Sequence, residues 1–429
     1  MNVEPLKIAL AGLGTVGGGT ASLLREQAGL LEARAGRPLR LVAVSALERP
    51  AGIDLGNAAF YEDARKMVAD ADYDVLVELI GGAAGIALEI VKGALAKGKH
   101  VVTANKAMIA HHGVELAKLA DTLGASIGFE ASVGGGIPII KSLREGLAGN
   151  RVTQVMGILN GTCNYILTTM RASGRDFADV LAEAQKLGYA EADPSFDIDG
   201  VDTAHKLAIL ASLAFAMPID LDSVTCEGIR HVSALDIQYA DELGYRIKLL
   251  GIARQTDKGV EARVYPAMVP LSFPLAHVDG VFNAIVTEGD FVGRTVLEGR
   301  GAGARPTASA VVADLVDIAR GHVTPAFGVP LSCLKPQPAA PAGDHLSAYY
   351  IRLMVKDEPG VFADIAAALR DENVSMEQII QRGRDPGEPV PVVMTLHEAR
   401  ESSMQKALAR IAALPALSEP PHLIRIESA

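Results

Sequence analysis

The sequence predicts an α/β protein built from three domains. Over the first 130 residues, short apolar runs of strand length alternate with helical patterns, which is typical of a parallel sheet covered by helices on both faces. From Gly134 onwards the pattern becomes α+β, and a proline-rich stretch, Cys333–Asp344, precedes a last segment with its own periodicity. We therefore place the domains at 1–133 (completed by a helix at 304–330), 134–303 and 347–429, with a linker at 334–346.

The first domain is predicted to alternate five strands with four helices. The strands, in order, are Leu6–Ala11, Leu39–Ala46, Asp74–Ile80, His100–Ala104 and Ser126–Phe129. The helical patterns between them cover Val16–Ala33, Ala64–Ala69, Ile86–Lys97 and Ala107–Leu123. This order is that of a doubly wound sheet.

The second and third domains mix helices with antiparallel strands. In the central domain the predicted elements are helices at Pro138–Ala148, Cys163–Ala172, Phe177–Leu187 and Val201–Ala216, a strand at Val152–Leu159, and a hairpin of Arg246–Thr256 with Val260–Val269. In the last domain they are strands at Ser347–Lys356, Val374–Gln381, Val390–His397 and Pro421–Glu427, and helices at Gly360–Asp371 and Glu398–Leu414. The β-α-β-β-α-β order of the last domain is ferredoxin-like.

Composition excludes several classes of protein. The chain has 429 residues, 49% of them apolar and 21% charged, which is ordinary for a globular protein. Its net charge of −11 disfavours nucleic acid as the main partner. Three scattered cysteines without a CxxC pair argue against a disulfide scaffold or a structural zinc site, which fits the cytoplasm. The uncharged run Val152–Met170 is too polar for a membrane span, and the first residues lack a signal-peptide pattern.

A glycine-rich run at the end of the first predicted strand indicates a dinucleotide site. The run follows a strand and opens a helix, the context in which the GxGxxG pattern is informative. Its glycines allow the tight turn, the approach of a pyrophosphate and the close packing of helix on strand, and the helix N-terminus offers N–H donors to the phosphates. The pattern predicts a Rossmann-type domain whose cofactor contacts are Gly12, Leu13, Gly14, Thr15, Val16 and Gly17.

The second strand favours NADP over NAD. An NAD-specific site usually has a carboxylate at the tip of this strand for the ribose 2′-hydroxyl, but Ser45 and Ala46 offer none. Arg49 is placed to meet a 2′-phosphate, whereas Glu48 is an alternative partner for the ribose. We therefore expect NADP, with NAD as the alternative.

The densest polar signal lies at 188–206. This stretch holds five carboxylates, a histidine and a lysine, and it leads into a helix that is almost wholly apolar after Lys206. Asp202 and Lys206 are four residues apart, so their side chains meet on one face of that helix. Because the rest of the helix is buried, we expect the pair to line a cleft, where Lys206 can serve as a general acid. Glycine-rich turns at 130–138, 157–164 and 299–306 are further candidates for a ligand site.

These motifs closely resemble those of the homoserine dehydrogenase family. The matching stretches occur in the family's order over about residues 1–330: GLGTVGGG at 12–19, TANKA at 103–107, EASVGGGIP at 130–138, GILNGTCNYIL at 157–167, LGYAEADPSFDIDGVDTAHKLAIL at 187–210 and GRGAGARPTASAVVADL at 299–315. The segment 347–429 resembles an ACT domain, with Asp357-Glu358-Pro359-Gly360-Val361 at its first turn.

The resemblance implies reversible, NAD(P)-dependent interconversion of L-aspartate 4-semialdehyde and L-homoserine, a step towards threonine, methionine and isoleucine. It implies catalytic roles for Lys206, Lys106 and Asp202. It implies a substrate site made by Glu191, Asp197, Tyr189, Thr162 and Gly161, and further cofactor contacts from Lys106 and Gly303. It also implies a sodium or potassium site made mostly of backbone carbonyls, at Glu130, Val133, Gly135 and Ile137.

The resemblance further implies a homodimer or homotetramer and feedback inhibition by L-threonine bound at the ACT domain, near the N-terminus of the helix that starts at Val361. A purely structural role for this domain is the alternative. Two other functions stay open at this point: a different amino-acid-pathway dehydrogenase, and a non-enzymatic amino-acid sensor. The presence of Lys106, Glu191, Asp202 and Lys206 argues against the sensor, which would not need them.

Overall fold

The structure, a computed structural model, describes residues 3–49, 52–322, 324–382 and 388–427. The elements of its N-terminal domain are β1 (Leu6–Ala11), α1 (Thr15–Glu26), α2 (Ala28–Ala35), β2 (Leu39–Ser45), β3 (Ala59–Tyr61), α3 (Ala64–Asp70), β4 (Val75–Glu78), α4 (Ile86–Ala96), β5 (His100–Thr103), α5 (Lys106–Thr122) and β6 (Ile127–Gly128).

The N-terminal sheet is parallel and has the order β3-β2-β1-β4-β5-β6. The chain proceeds outwards from β1 on one side and then from β4 on the other, so the strand order reverses between β1 and β4. Ligands of such sheets bind at this switch point, beyond the carboxyl ends of the strands. The predicted doubly wound fold is confirmed. Two details differ: the short strand β3 was not predicted, and the helix predicted at Val16–Ala33 is divided at Gln27 into α1 and α2.

The central domain follows the parallel sheet. Its elements are α6 (Ile139–Lys141), β7 (Val152–Ile158), α7 (Gly161–Ser173), α8 (Phe177–Lys186), α9 (Ser195–Ile198), α10 (Val201–Phe215), β8 (Thr225–Cys226), α11 (Ala234–Glu242), β9 (Tyr245–Thr256), β10 (Gly259–Pro270), β11 (Phe282–Gly289), β12 (Gly293–Arg300) and α12 (Ala304–Arg320). The hairpin of β9 and β10 was predicted, whereas the hairpin of β11 and β12 and the helix α11 were not.

Helix α12 returns to the N-terminal domain. Val311 and Leu315 on this helix share a buried cluster with Leu10 of β1 and Leu24 of α1. The helix covers one face of the parallel sheet, as the sequence predicts, but it ends at Arg320 rather than at residue 330, because the left-handed Gly321 (φ 72°) closes it.

The C-terminal domain consists of β13 (Leu346–Lys356), α13 (Val361–Asp371), β14 (Met376–Gln381), β15 (Pro389–Arg400), α14 (Glu401–Ala412) and β16 (His422–Ile426). Its strands have the order β16-β13-β15-β14, and the pairs among them are antiparallel. The predicted ferredoxin-like domain is confirmed.

The central and C-terminal strands form one sheet. The strand β16 pairs in parallel with β10 through Ala267↔Arg425 and Met268↔Ile426, so the path β12-β11-β7-β9-β10 continues into the C-terminal strands. The side chain of Arg352 on β13 donates to the carboxylate of Asp236 on α11, at 2.7 Å from Nε to Oδ1. Because both side chains are buried, the two domains are joined by a desolvated ion pair as well as by backbone pairing.

The proline-rich segment is packed rather than extended through solvent. The carbonyl of Pro338 accepts the N–H of Val260 at 2.9 Å, and the N–H of Ala340 donates back to the carbonyl of Val260 at the same distance. The N–H of Lys335 donates to the carbonyl of Ala216 at 3.1 Å. This differs from the expectation of a module attached through a linker, because proline composition carries no information about what the segment packs against.

Candidate active site

The turn between β1 and α1 has the shape that a dinucleotide requires. Gly12 has a φ of 97°, and a Cβ atom at this position would lie 2.6 Å from the carbonyl oxygen of Leu79. A Cβ atom on Gly17 would lie 1.9 Å from the carbonyl oxygen of Gly12. By contrast, a Cβ atom on Gly14 would meet no atom within 4 Å. The turn therefore has an open face at Gly14, and a pyrophosphate fits there against the N-terminus of α1.

The carboxyl end of β2 lies beside this turn. Ser45 is buried, and its carbonyl accepts the N–H of Gly12 at 2.8 Å. Arg49 is exposed in the segment that follows. Glu48, the alternative partner for the ribose, is exposed beside Arg49, and the tip of β2 itself carries no carboxylate.

The buried carboxylate of Asp202 binds the two lysines that the sequence singles out. Its Oδ1 lies 2.6 Å from Nζ of Lys106, at the start of α5, and its Oδ2 lies 2.8 Å from Nζ of Lys206, on the same helix α10. The ammonium of Lys206 also donates to the carbonyl of Leu159 at 2.7 Å. Three chain segments that are distant in sequence meet at this one carboxylate.

Two of these segments are fixed by asparagine side chains that cap the start of a helix. The side chain of Asn105 accepts the N–H of Met108 at 3.1 Å and so fixes the start of α5, where Lys106 stands. Asn160 caps α7 by accepting the N–H of Cys163 at 2.8 Å. The Nδ2 of Asn160 donates to Asp197 and Asp202, in each case at 2.8 Å. The cap of one helix is thus also the group that orients two carboxylates of the site.

The charges of the cluster shift one another's pKa values. Burial alone would raise the pKa of Asp202, but the ammonium groups of Lys206 and Lys106 outweigh it and hold this pKa well below its usual range. Burial lowers the pKa of Lys206, with the charge of Asp202 opposing the shift. Burial and the charge of Asp202 raise the pKa of Asp197. The lysine is therefore closer to giving up its proton than a solvated lysine would be.

A cavity of about 460 Å³ opens onto this cluster. Of the residues expected at the site from the sequence, its wall contains Lys106, Gly161, Thr162, Tyr189, Asp197, Asp202, Lys206 and Gly303. Gly303 (φ 113°) is the N-cap of α12. This helix packs closely against α1, since a Cβ atom on Gly19 of α1 would lie 2.7 Å from the carbonyl oxygen of Ala304. The cavity therefore lies between the central domain and Lys106 of the N-terminal domain, and its Gly303 side leads to the helix that packs on α1.

Three groups of expected site residues lie outside this cavity wall. The expected cofactor contacts at 12–17 and Arg49 are not among its lining residues. Glu191 is exposed in the loop before α9 and is not among the lining residues. The expected cation ligands, Glu130, Val133, Gly135 and Ile137, are buried. Their segment lies next to the cavity, because a Cβ atom on Gly135 would lie 2.4 Å from the carbonyl oxygen of Gly301, which lines the cavity.

The carboxylate of Glu130 already has two hydrogen-bond donors within the protein. It accepts the N–H groups of Ile140 and Lys141 at 3.0 and 2.7 Å, so it caps the start of α6. Burial, with a contribution from the charge of Asp314, raises the pKa of Glu130 to about 7. A cation in this segment would therefore be held by backbone carbonyl oxygens, and the left-handed Gly134 and Gly135 (φ 73° and 55°) allow the sharp turn that such a site needs.

Several lining residues were not singled out from the sequence. Asn160 lies in the glycine-rich turn at 157–164, and Arg300 and Gly301 lie in the turn at 299–306; both turns are candidates for a ligand site from the sequence. Asn283 and Val281 belong to the β11 region, which no sequence motif marks. Asn283 is buried, and its Oδ1 has no hydrogen-bond partner among the described residues.

Among the described residues, no helix has the length and apolar character that crossing a bilayer requires.

Comparison with known proteins identifies the family. Residues 12–130 match the family model of the homoserine dehydrogenase NAD binding domain, residues 138–316 that of homoserine dehydrogenase, and residues 349–416 that of the ACT domain. A homoserine dehydrogenase of Neisseria gonorrhoeae is 48% identical over 433 residues, which cover 99% of each chain.

Solved structures of homoserine dehydrogenases match this fold, one of them over nearly the whole chain. The crystal structure of a homoserine dehydrogenase from Thiobacillus denitrificans is 45% identical, with a TM-score of 0.93 over 99% of this chain and 98% of that one. A hyperthermophilic archaeal homoserine dehydrogenase in complex with NADPH is 28% identical, with a TM-score of 0.62 over 73% of this chain and 97% of that one. The chain therefore belongs to the homoserine dehydrogenase family, NAD(P)-dependent oxidoreductases that act on a CH–OH group, and it carries an ACT domain after its catalytic part.

Proposed function

We propose that this enzyme interconverts L-aspartate 4-semialdehyde and L-homoserine, with Lys206, Lys106 and Asp202 as its catalytic groups. The observation that carries the proposal is the buried carboxylate of Asp202, which holds two ammonium groups at the wall of a cavity between the central domain and the N-terminal domain. The nicotinamide cofactor supplies or takes the hydride at the substrate carbon when it is bound. The residues of this chain bind the substrate and move the proton at its oxygen.

Lys206 is the proton donor of the reduction. An ammonium group has three N–H donors. Two of those of Lys206 are used by Leu159 and Asp202, which leaves the third for the aldehyde oxygen. In the reverse direction the neutral amine accepts the hydroxyl proton, and the lowered pKa of this lysine favours that form.

Lys106 stabilises negative charge at the same oxygen. Its side chain is a third exposed, whereas Asp202 is buried, so Lys106 faces the cavity while Asp202 fixes its position. A cation held in place before the reaction stabilises an alkoxide without reorganisation. We assign Lys106 a contact with the cofactor as well, since it follows β5 at the carboxyl edge of the parallel sheet.

The substrate's amino-acid end binds beside the catalytic cluster, at the part of the wall that contains Asp197. Asp197 is the carboxylate there that suits an ammonium group, and Tyr189, Thr162 and Gly161 complete that wall. The hydroxyl of Thr162 donates to the carbonyl of Tyr189 at 2.8 Å and so holds the loop against α7. Glu191 would join this site through a movement of its exposed loop.

We propose NADP as the preferred cofactor, held by residues 12–17, Arg49 and Gly303. The exposed Arg49 after β2 and the absence of a carboxylate at the strand tip support this choice. The related archaeal enzyme in complex with NADPH is a further point in its favour. A sodium or potassium ion at the carbonyls of Glu130, Val133, Gly135 and Ile137 would stiffen the loop that contacts Gly301.

We propose further that the enzyme is a cytoplasmic homodimer or homotetramer and that L-threonine inhibits it through the ACT domain. The strand β12 is the last strand on its side of the sheet, and Phe291 and Val292 at its turn are exposed. The unpaired edge of β12 and these two exposed apolar side chains support assembly through the central domain. The mass of the particle, measured by light scattering after gel filtration, tests the assembly.

The activity is tested directly with the purified protein. We expect oxidation of NADPH with aspartate semialdehyde and reduction of NADP with homoserine, in buffer that contains potassium or sodium. A folded sample without turnover in either direction would refute the proposed reaction. Turnover with another aldehyde only would identify a different dehydrogenase.

A further inference from the structure

Glu78, a completely buried acid, is not one of the catalytic or binding groups proposed above. It is the last residue of strand β4. In the parallel sheet it lies in register with Ala11 of β1 on one side and with Thr103 of β5 on the other. Glu78 is therefore at the switch point of the sheet, between the strand that leads into the dinucleotide turn and the strand that leads to Lys106.

Three uncharged donors hold the carboxylate of Glu78. Its Oε1 accepts the N–H groups of Ile80 and Gly81 at 2.8 and 3.0 Å, and its Oε2 accepts the hydroxyl of Thr103 at 2.6 Å. Burying a carboxylate costs free energy unless hydrogen bonds satisfy it. An apolar side chain would end this buried strand without that cost, so the reason for the acid lies in the two segments to which its donors belong.

The first segment is the loop after β4, at 79–82. This loop touches the dinucleotide turn, because a Cβ atom on Gly12 would lie 2.6 Å from the carbonyl oxygen of Leu79. Gly81 has a φ of 91°, and a Cβ atom there would meet no atom within 4 Å. The apolar side chain of Ile80 is exposed. An open backbone and an exposed apolar side chain at the switch point fit the nicotinamide end of a dinucleotide.

The second segment is the start of α5. The hydroxyl oxygen of Thr103 accepts the N–H of Asn105 at 3.0 Å, and the Nδ2 of Asn105 donates to the carbonyl of Gly82 at 2.7 Å. The hydroxyl of Thr103 thus connects Asn105 to Glu78. Because Asn105 also caps α5, the position of Lys106 at the first turn of this helix depends on the same network.

We propose that Glu78 is a positioning residue, which holds the loop 79–82 against the cofactor and Lys106 against Asp202 at the same time. Since Glu78 is itself completely buried, it acts through the groups that it binds. One carboxylate thereby fixes the cofactor loop relative to the cation that stabilises charge on the substrate's oxygen. The inference rests on the proposed roles of Lys106 and of the nicotinamide cofactor, to which it adds the group that aligns them.

The test compares full-length variants that break the network at two points. Glu78→Gln replaces the carboxylate by an amide, whose NH₂ group cannot accept the hydroxyl of Thr103 and whose oxygen is a weaker acceptor. Thr103→Val removes the hydroxyl and leaves the two backbone bonds of the carboxylate, whereas Thr103→Ser keeps a hydroxyl. The matched control is Asp74→Asn, because Asp74 directly precedes β4 and accepts the N–H of Lys7 at 2.9 Å, at the opposite end of the strand.

For each protein we measure kcat and KM for homoserine, the dissociation constant of NADPH without substrate, and the midpoint of denaturant unfolding. We expect Glu78→Gln to lower kcat about fivefold or more and to weaken NADPH binding by a similar factor. Its KM for homoserine should stay nearly unchanged, since the central domain binds the substrate's amino-acid end. Thr103→Val should lower kcat but keep the affinity for NADPH, because only the branch to Lys106 is broken. Thr103→Ser should recover kcat, and Asp74→Asn should behave like the wild type.

Wild-type kcat and NADPH affinity in Glu78→Gln would overturn the proposal. A loss of kcat that merely follows the loss of stability in all four variants would overturn it as well, since the effect would then be structural alone. If Glu78→Gln does not fold, the Thr103 variants decide: unchanged kcat in Thr103→Val, or no recovery in Thr103→Ser, refutes the link to Lys106. A wild type that binds NADPH without turnover refutes the proposed reaction instead, and the NADPH affinity of Glu78→Gln then tests the loop on its own.

Discussion

At the scale of single residues, the site depends on Asp202, a buried acid that carries two cations. Burying a charge is costly unless it is paired, and here two ammonium groups and an amide satisfy it. The pairing keeps Asp202 ionised and holds the ammonium groups of Lys106 and Lys206 at the cavity wall. In the mechanism we propose, one of these groups is the proton donor and the other is a fixed positive charge.

The first residue-scale prediction concerns the proton donor. Lys206→Ala should lower kcat by about 10²–10⁴, the usual loss for a positioned acid–base group, and leave NADPH affinity nearly unchanged. Steady-state rates and cofactor titration by fluorescence measure the two quantities. Lys92→Ala, which removes a lysine on α4 that pairs with Glu115, is the control. A variant that keeps the wild-type kcat would assign Lys206 to structure alone.

The pH profile follows from the same residue. Burial lowers the pKa of Lys206, and only the neutral amine can accept the proton of homoserine. The rate of homoserine oxidation should therefore rise with pH and level off below the usual lysine pKa of about 10.5. The profile of kcat/KM between pH 6 and about 10.5 checks this. If Lys206→Ala retains the same rise in its residual rate, another group is the base.

A further prediction separates the two cofactors. Arg49→Ala should weaken the binding of NADPH about tenfold or more, because a charge-assisted hydrogen bond to the 2′-phosphate is lost, and should leave NADH unaffected. Dissociation constants for both cofactors measure this difference, with Arg40→Ala, on the preceding strand β2, as the control. An equal loss for both cofactors would mean that Arg49 supports the loop, and a strong preference of the wild type for NADH would refute the choice of NADP.

At the scale of elements, one cap connects helix stability with the arrangement of the site. Asn160→Ala removes the side-chain acceptor for α7 and the donor to two carboxylates, so it should lower both stability and activity. We expect a loss of about 1–3 kcal/mol in the free energy of unfolding. Denaturant unfolding measures this loss, with Asn150→Ala, in the loop before β7, as the control. Asn160→Ser keeps a capping oxygen and should recover stability more than activity; if it recovers both equally, the amide has no role in orienting the carboxylates.

The elements also show which parts of the fold could be predicted from the sequence and which could not. The buried strands and the GxGxxG turn were predicted because apolar runs and glycine spacing are local signals. The edge strand β12 was missed because its residues are charged and largely exposed, including Arg294 and Glu298. The helix predicted at Pro138–Ala148 is a short α6 followed by a wider turn at Ser142–Gly146. The start of α6 is held by the distant Glu130 carboxylate, which accepts the N–H groups of Ile140 and Lys141. Such contacts across the fold are not encoded in local periodicity.

Prediction of the candidate site from the sequence was limited in the same way. Lys206 and Asp202 could be paired from their spacing along one helix, and the remaining assignments came from the family resemblance. That resemblance cannot indicate where a loop lies in this chain, and Glu191 is outside the cavity wall. Asn283 had no signal at all, because its importance comes from an unpaired oxygen that only the packing creates.

At the scale of the whole molecule, the ion pair of Asp236 and Arg352 joins the central and ACT domains. Asp236→Ala leaves a buried guanidinium without its partner and should cost about 3–5 kcal/mol of stability. Denaturant unfolding measures the cost, and Asp371→Ala, in an exposed cluster on the ACT domain, should have little effect. Equal effects of the two substitutions would show that the joint between the domains is not held by this pair.

The shared sheet has a consequence for how the chain is made. The strand β16 covers the edge of β10 at Ala267 and Met268 and follows β10 by the whole length of the ACT domain, so a growing chain presents this part of β10 uncovered throughout that interval. Exposed strand edges recruit other chains, and incompletely folded multidomain proteins aggregate through such surfaces. If translation stops within the ACT sequence, the released catalytic part would therefore be prone to aggregate. Rapid completion of the last strand would shorten the time during which this edge is exposed.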